Sequence, residues 1–360
     1  MATIRISCVG DLMPADTAYI MGNGIGSNMK RLIEYYSDNK NNPFCNSDIV
    51  FCNLEAPLII KPNIVKQPFE GNPEVLRLMK ILNISVVSIA NNHMPDHGRE
   101  GFDSTINFLE DNGFTHIGSR QESISKIAII RSKDKKIAFA AFNAIDDHPG
   151  FNLVASLDRD ILFNTLHEIK FHSPDFIFFS FHWGNEYITW PSPAQIDLAH
   201  ELIDNGVSVI IGHHPHVVQP VEYYHGGVII YSLGNFLFDM FWSKKVRNGI
   251  RVDLDLHEDR SIDYRIKKYR IQPDFTQHYF KNKGALADPT KMYKKLNLIQ
   301  TGPRELYEEL YLHECKKQRL YARLRMKLYL LRYLFRLSRQ SKEYLFSNIK
   351  LKSGSLWKKN

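Results

Sequence analysis

Cysteine is scarce in this chain, with Cys8, Cys45, Cys52 and Cys315 the four thiols in 360 residues. They are too few and too irregularly spaced for a disulfide framework, and they form no CxxC pair of the zinc or redox kind. That usage suits a reducing compartment. Long apolar runs are lacking too. Nowhere do about 18 uncharged apolar residues follow one another, so no spanning helix is expected. The opening MATIRISCVGD has no charged start followed by an apolar stretch, and no signal peptide is expected from it. These features predict a cytoplasmic protein. Internal repeats and low-complexity tracts are absent, which excludes a solenoid. What remains is ordinary globular composition, 44% hydrophobic and 24% charged, long enough for two domains or one large α/β domain.

A uniform excess of one charge is missing as well. The formal net charge of +7 is a sum of unlike parts. Fourteen of the 46 Lys+Arg and two of the 39 Asp+Glu lie between Glu314 and Asn360, so that segment carries +12 and the rest of the chain −5. A mildly acidic body bears a strongly basic tail. The tail holds no recognised nucleic-acid module, and nucleic acid is not an expected partner.

Over the first 240 residues one arrangement recurs. A short apolar run ends, and polar or titratable residues follow at once. Ile4–Val9 leads to Gly10-Asp11, Ile49–Cys52 to Asn53-Leu54-Glu55, and Val86–Ala90 to Asn91-Asn92-His93. Ile137–Phe142 leads to Asn143, and Phe176–Phe181 to His182-Trp183-Gly184. Val207–Ile211 leads to Gly212-His213-His214-Pro215-His216, and Val228–Tyr231 to Ser232-Leu233-Gly234-Asn235. Runs rich in Val, Ile and Phe without alternation predict strands buried on both faces.

Helices are predicted between them. Asn72-Pro73-Glu74 is a helix start, and Ser192-Pro193-Ala194-Gln195 has the capping-box pattern before Ile196, Ala199, Leu202 and Ile203. Phe102, Ile106 and Leu109 make a similar stripe before Gly113. The fold class this predicts is α/β, layered, with sheets mostly parallel at their centre. In such sheets ligands bind beyond the carboxyl ends of the strands, where the titratable residues fall. Beyond Asp239, Ile250–Leu256 and Ile262–Tyr269 alternate apolar and charged residues and predict a half-exposed hairpin or edge pair.

The predicted organisation is one domain over residues 1–272, a connecting segment over 273–302 and a basic amphipathic helical tail over 303–360. In the tail Leu320, Leu324, Leu328, Leu331 and Phe335 form a stripe flanked by Lys316, Arg323, Lys327, Arg325, Arg332, Arg336 and Arg339. Such a stripe ordinarily packs on its own domain, with the arginines solvated. Peripheral contact of residues 314–360 with an anionic membrane is the alternative expectation.

Asp11, Glu55, Asn92, His182, His214 and His216 mix carboxylate, amide oxygen and imidazole. That mixture suits Mn, Fe or Zn, and the absence of cysteine argues against a structural zinc. Six donors suffice for two ions about 3.5–4 Å apart sharing a bridging carboxylate, the arrangement that activates water for phosphoryl displacement. His93 follows Asn92 and would stand beside the ions, able to protonate a leaving oxygen, with Asp96 orienting it. Any one of the 15 histidines alone is ordinarily structural, but three imidazoles in four residues at 213–216 have no packing rationale. Asn53, Asn91, Glu186, His213 and Asn235 are candidates to face the substrate.

As an ordered set, six segments resemble the bacterial capsule-synthesis (CapA, poly-γ-glutamate capsule) family. They are Gly10-Asp11-Leu12-Met13, Asn53-Leu54-Glu55, Ala90-Asn91-Asn92-His93 with Asp96 and Gly98, and His182-Trp183-Gly184-Asn185-Glu186-Tyr187. Gly212-His213-His214-Pro215-His216-Val217 with Gln219 and Tyr231-Ser232-Leu233-Gly234-Asn235-Phe236 complete the series. The resemblance covers about two thirds of the chain. It implies a calcineurin-like metallophosphoesterase type of fold, a β-sandwich flanked by helices. It also implies one or two divalent metals at the six donor positions, His93 as the catalytic histidine, and an anionic polymer or phosphoester as substrate. The chain departs from the wider phosphoesterase pattern twice. Met13 stands where a second ligand is usual, and Asn53-Leu54-Glu55 replaces the usual Gly-Asp-x-x-Asp. The expected function is a metal-dependent hydrolase in capsule or other anionic surface-polymer biosynthesis. The alternative is a non-catalytic, membrane-peripheral component of the polymer synthesis or export machinery.

Overall fold

Every apolar run singled out above contains or overlaps a strand in the computed structural model, which describes residues 3–18, 20–59, 67–280, 303–333 and 342. The first part of the chain runs β1 (Ile4–Leu12), α1 (Met29–Ser37), β2 (Ile49–Leu54), α2 (Val75–Ile81), β3 (Ile84–Ser88), α3 (Gly98–Asp111) and β4 (Thr115–Ile117). Two short strands, β5 (Arg120–Gln121) and β6 (Ile124–Ser125), precede β7 (Ala128–Ser132) and β8 (Lys135–Asn143). Then come α4 (Arg159–Phe171), β9 (Phe176–His182), α5 (Pro193–Asp204), β10 (Val209–His213), β11 (Val221–Tyr224), β12 (Gly227–Ile230) and β13 (Asn235–Leu237). The hairpin β14 (Asn248–Leu256) and β15 (Ile262–Ile271), strand β16 (Gln277–Tyr279) and helix α6 (Arg304–Tyr333) end the described chain.

Two sheets form a sandwich. In the first the order is β16-β15-β14-β1-β2-β3-β4, with β13 also beside β1. Strands β1 to β4 are mutually parallel, and the hairpin joins β1 antiparallel. The second sheet has the order β11-β12-β10-β9-β8-β7, parallel from β8 to β12 with antiparallel edges. This is the α/β class that the sequence predicts.

The alternation of side chains along a strand explains why these strands read as continuous apolar runs. In β9, Phe178 faces the other sheet and belongs to the sandwich core, while Phe179 and Phe181 face the helices. Phe51 of the first sheet stacks on Phe139 of the second at 6.3 Å. Outside the second sheet lie Leu162, Leu166 and Ile169 of α4 and Ala199 and Leu202 of α5. The capping box predicted at Ser192–Gln195 is formed, with Pro193 at the first helical position.

The connecting segment is structured where it is described, because β16 adds a short edge strand to β15; residues 281–302 lie outside the described residues. The tail corrects an expectation. Helix α6 packs on the body through Tyr307, Tyr311, Cys315, Gln318 and Ala322, all buried. Tyr307 donates its hydroxyl to the Pro191 carbonyl at 2.7 Å, and Gln318 Oε1 accepts from the Thr189 backbone at 3.2 Å. The leucine stripe is on the other side. Leu320, Leu324, Leu328 and Leu331 are 71%, 55%, 52% and 68% exposed. A helix lying on a domain buries one face, and here aromatic and small side chains make the contact. Phe335, Arg336 and Arg339 lie outside the described residues.

Candidate metal centre

The parallel strands of both sheets end at one edge of the sandwich, and their last residues meet there. Asp11 is the penultimate residue of β1, Asn53 that of β2, His182 the last of β9 and His213 the last of β10. The backbone is tight at this edge. A Cβ on Gly10 would lie 1.6 Å from the Gly234 carbonyl oxygen, and one on Gly212 would lie 1.9 Å from that of Tyr231. Glycine before Asp11 and before His213 lets the 231–234 strand-to-turn segment pass underneath. His214 and His216 adopt positive φ, 90° and 54°, which costs about 1–3 kcal/mol each outside glycine and recurs at functional sites.

Asp11 is fully buried and heavily bonded. Its Oδ1 lies 2.9 Å from His213 Nδ1 and accepts from Asn53 Nδ2 at 2.9 Å. Its Oδ2 faces His216 Nδ1 at 3.5 Å and the His214 backbone N–H at 3.4 Å. Glu55 stands beside it, with Oε1 3.5 Å from His216 Nε2 and Oε2 accepting from Asn53 Nδ2 at 3.2 Å. His182 Nε2 is 2.9 Å from Asn92 Oδ1, and the His182 and His214 rings sit 4.8 Å apart.

Burial disfavours charge on Asp11, but the hydrogen bonds and charges of His213 and His216 outweigh it and hold the carboxyl well below its ordinary range. Burial and the neighbouring Asp11 push Glu55 well above it. Burial, then the neighbouring histidines, lowers His182 well below its usual value and brings His214 down to about 3. Burial opposes charge on His216 too, yet its bond to Asp11 raises it.

This chemistry fits a divalent cation. Ligand atoms of Asp11, Glu55 and His182 all lie within 4.8 Å of one another. Glu55 Oε1 and His214 Nδ1 are buried without a hydrogen-bond partner. Two carboxylates this close and this dry need a countercharge before both can ionise, and neutral imidazoles are the form that coordinates. Met13 offers nothing here; it is buried in the core.

His93 and Asp96 are at the rim. His93 Nδ1 is 2.8 Å from Asp96 Oδ2, and the Phe69 ring stacks on the imidazole at 4.2 Å. Of the five residues expected to face substrate, Glu186 is partly exposed, 3.9 Å from His216 Nε2. The other four are buried and hold their neighbours. Asn91 Nδ2 donates to Asn53 Oδ1 at 3.1 Å, His213 holds Asp11, and Asn235 Oδ1 lies 2.9 Å from His216 Nδ1. Two residues were missed in the sequence. Asp147 accepts from Asn92 Nδ2 at 2.6 Å, and His148 Nε2 is 2.8 Å from Asp96 Oδ1. Asp146-Asp147-His148 follows the end of β8 and carried the same strand-end signal.

Residues 5–240 match the family model described as bacterial capsule synthesis protein, PGA_cap. The chain belongs to that family. It is 29% identical over 261 residues to the capsule biosynthesis protein CapA of Bacillus anthracis, covering 67% of this chain and 61% of that protein. It is 33% identical over 213 residues to the PGA biosynthesis protein CapA of Bacillus subtilis, covering 55% of each. The chain thus spans between half and two thirds of the length of these PGA_cap relatives. A phosphatase structure from Mycoplasma pneumoniae overlays with a TM-score of 0.48 at 12% identity, over 74% of this chain and 94% of that one. Among the described residues no helix is long and apolar enough to cross a membrane.

Proposed function

We propose that this PGA_cap protein is a metal-dependent hydrolase of the phosphoesterase type, acting on an anionic polymer or phosphoester in surface-polymer biosynthesis. The observation that carries this reading is the convergence of Asp11, Glu55, His182, His214 and His216 at one sheet edge, with the His93–Asp96 pair at its rim. Mn, Fe or Zn, as one or two ions, would be held by these residues with Asn92, and would supply an activated water and a Lewis acid. Asn53 orients both carboxylates through one amide nitrogen. His213 keeps Asp11 ionised, and Asn235 sets the His216 ring. His93, held at Nδ1 by Asp96, keeps Nε2 for a proton transfer to the leaving oxygen. The test is metal content of wild type beside Asp11→Ala and His214→Ala, followed by turnover of chromogenic phosphomonoesters and phosphodiesters with Mn. Wild type holding less than about 0.2 metal per chain, or variants with unchanged content, would sink the assignment.

A second reading is favoured by the exposed leucines of α6. In it the protein is a non-catalytic component at the inner face of the membrane, with Leu320, Leu324, Leu328 and Leu331 entering an anionic surface between flanking Lys and Arg. Removing the helix would uncover Ile188 and Trp190 of the body, which Tyr307 and Tyr311 cover, so the fair test is Leu324→Glu with Leu328→Glu in the full chain. Co-sedimentation with anionic liposomes that is equal for variant and wild type would discard this reading.

A further inference from the structure

Helix α6 reaches the metal centre, although its basic residues belong to a segment that reads as a separate tail. A cavity of about 460 Å³ opens beside His214, and its walls include Asp147, Glu186, Trp242, Arg319 and Arg323. The two arginines are four residues apart and project from one face of α6. Ala322, between them, is buried against the body and seats that stretch of helix. Arg319 donates to Asn185 Oδ1, and Asn185 Nδ2 donates to the Tyr311 hydroxyl at 2.8 Å, so the loop after His182 positions this guanidinium. Arg323 has no ion pair or hydrogen bond among the described residues.

The acidic residues of the same cavity are engaged elsewhere. Asp147 accepts from Asn92, and Glu186 faces His216. The guanidinium pair lines the part of the wall that α6 supplies. A guanidinium recognises carboxylate or phosphate through paired N–H donors, and a cavity of this size takes more than a single reacting group.

We propose that Arg319 and Arg323 form an anion subsite beside the metal centre, which takes a second negatively charged group of the substrate, set away from the bond that reacts. This rests on the hydrolase reading for the identity of the reacting group, and on the cavity alone for the anion. The substrate class it names carries repeated anionic groups, as carboxylates along a polyacid or as phosphates along a polyphosphate.

The test uses the full chain, purified with its metal, and two probes: pentaglutamate as the carboxylate source and tripolyphosphate as the phosphate source. Quenching of tryptophan emission reports binding, since Trp242 lines the cavity. In Arg319→Ala with Arg323→Ala, affinity for the matching probe falls by about tenfold or more. Metal content stays that of wild type, because neither arginine touches a ligand. Replacing both by lysine restores part of the affinity. Equal affinity of wild type and the alanine pair for both probes, or no binding of either probe by wild type, overturns the proposal. Arginine-dependent binding in a protein that hydrolyses no ester of the panel keeps the subsite and removes the hydrolase reading. Hydrolysis with arginine-independent binding does the reverse.

Discussion

His93 Nδ1 lies 2.8 Å from Asp96 Oδ2, and the other oxygen of that carboxylate is held at 2.8 Å by His148 Nε2. One carboxylate thus orients the rim imidazole and is itself anchored from the loop after β8. Asp96→Asn keeps the shape and loses the acceptor charge, so kcat on a chromogenic phosphodiester is expected to fall about 100-fold with KM little changed. His93→Ala falls at least as far, and His148→Ala by about tenfold. Steady-state kinetics with Mn decides it, and an Asp96→Asn enzyme as fast as wild type would remove this pair from the mechanism.

The amide of Asn53 bridges Asp11 and Glu55 and is pinned in turn by Asn91. Second-layer groups of this kind govern metal affinity without touching the ion. Asn53→Ala is expected to weaken Mn binding about 10- to 100-fold, with the folded state retained. Competition against a fluorescent chelator measures it; an unchanged dissociation constant would mean that the carboxylates orient themselves.

Acid stability has an identifiable source away from the site. Asp255 in β14 pairs with Arg5 of β1 at 2.8 Å and with Arg265 of β15 at 2.5 Å. Burial opposes its charge, but the two guanidinium groups win and bring it from 3.8 down to about 2. A depressed carboxyl contributes stability that is complete above its unfolded pKa and is lost as pH falls through the folded one. The contribution, about 2 kcal/mol, is therefore present at neutral pH and disappears between about pH 4 and about pH 2. Asp255→Asn should flatten that part of the denaturant midpoint against pH. Parallel curves for variant and wild type would show that the pair adds nothing.

Gly10 permits the closest backbone crossing beneath the site. With a Cβ 1.6 Å from the Gly234 carbonyl, Gly10→Ala must displace either β1 or the 231–234 segment. The expected cost is about 3 kcal/mol, with metal binding impaired in whatever folds. A denaturant midpoint within experimental scatter of wild type would show that the crossing is loose.

Strands were legible because burial on both faces leaves a local trace, an unbroken apolar run such as Phe176–Phe181. The ends of those runs disclosed Asp11, Glu55, His182 and His214, since parallel strands in a layered sheet deliver their last residues to one edge. Cap chemistry at Ser192–Gln195 was equally local. The hairpin of β14 and β15 could be read because its alternation has a period of two.

Other features had no local trace. Leu320, Leu324, Leu328 and Leu331 looked like a packing face, yet Tyr307, Tyr311, Cys315 and Gln318 fill that role. Which side of a helix meets a domain depends on the complementary surface, here Pro191, Asn185 and Thr189, which are more than a hundred residues away in sequence. Asn53, His213 and Asn235 likewise turn inward, onto Asp11, Glu55 and His216, an orientation that no short segment reveals.

By itself the sequence determined the elements, the family and the edge on which carboxylates and imidazoles gather, because strand length, capping and strand-end chemistry are properties of short segments. Only the tertiary structure decided that His148 steadies Asp96 and that Arg319 and Arg323 share a cavity with His214. Those relationships join segments remote in sequence, and they exist only once the two sheets close and α6 packs against the loop that follows β9.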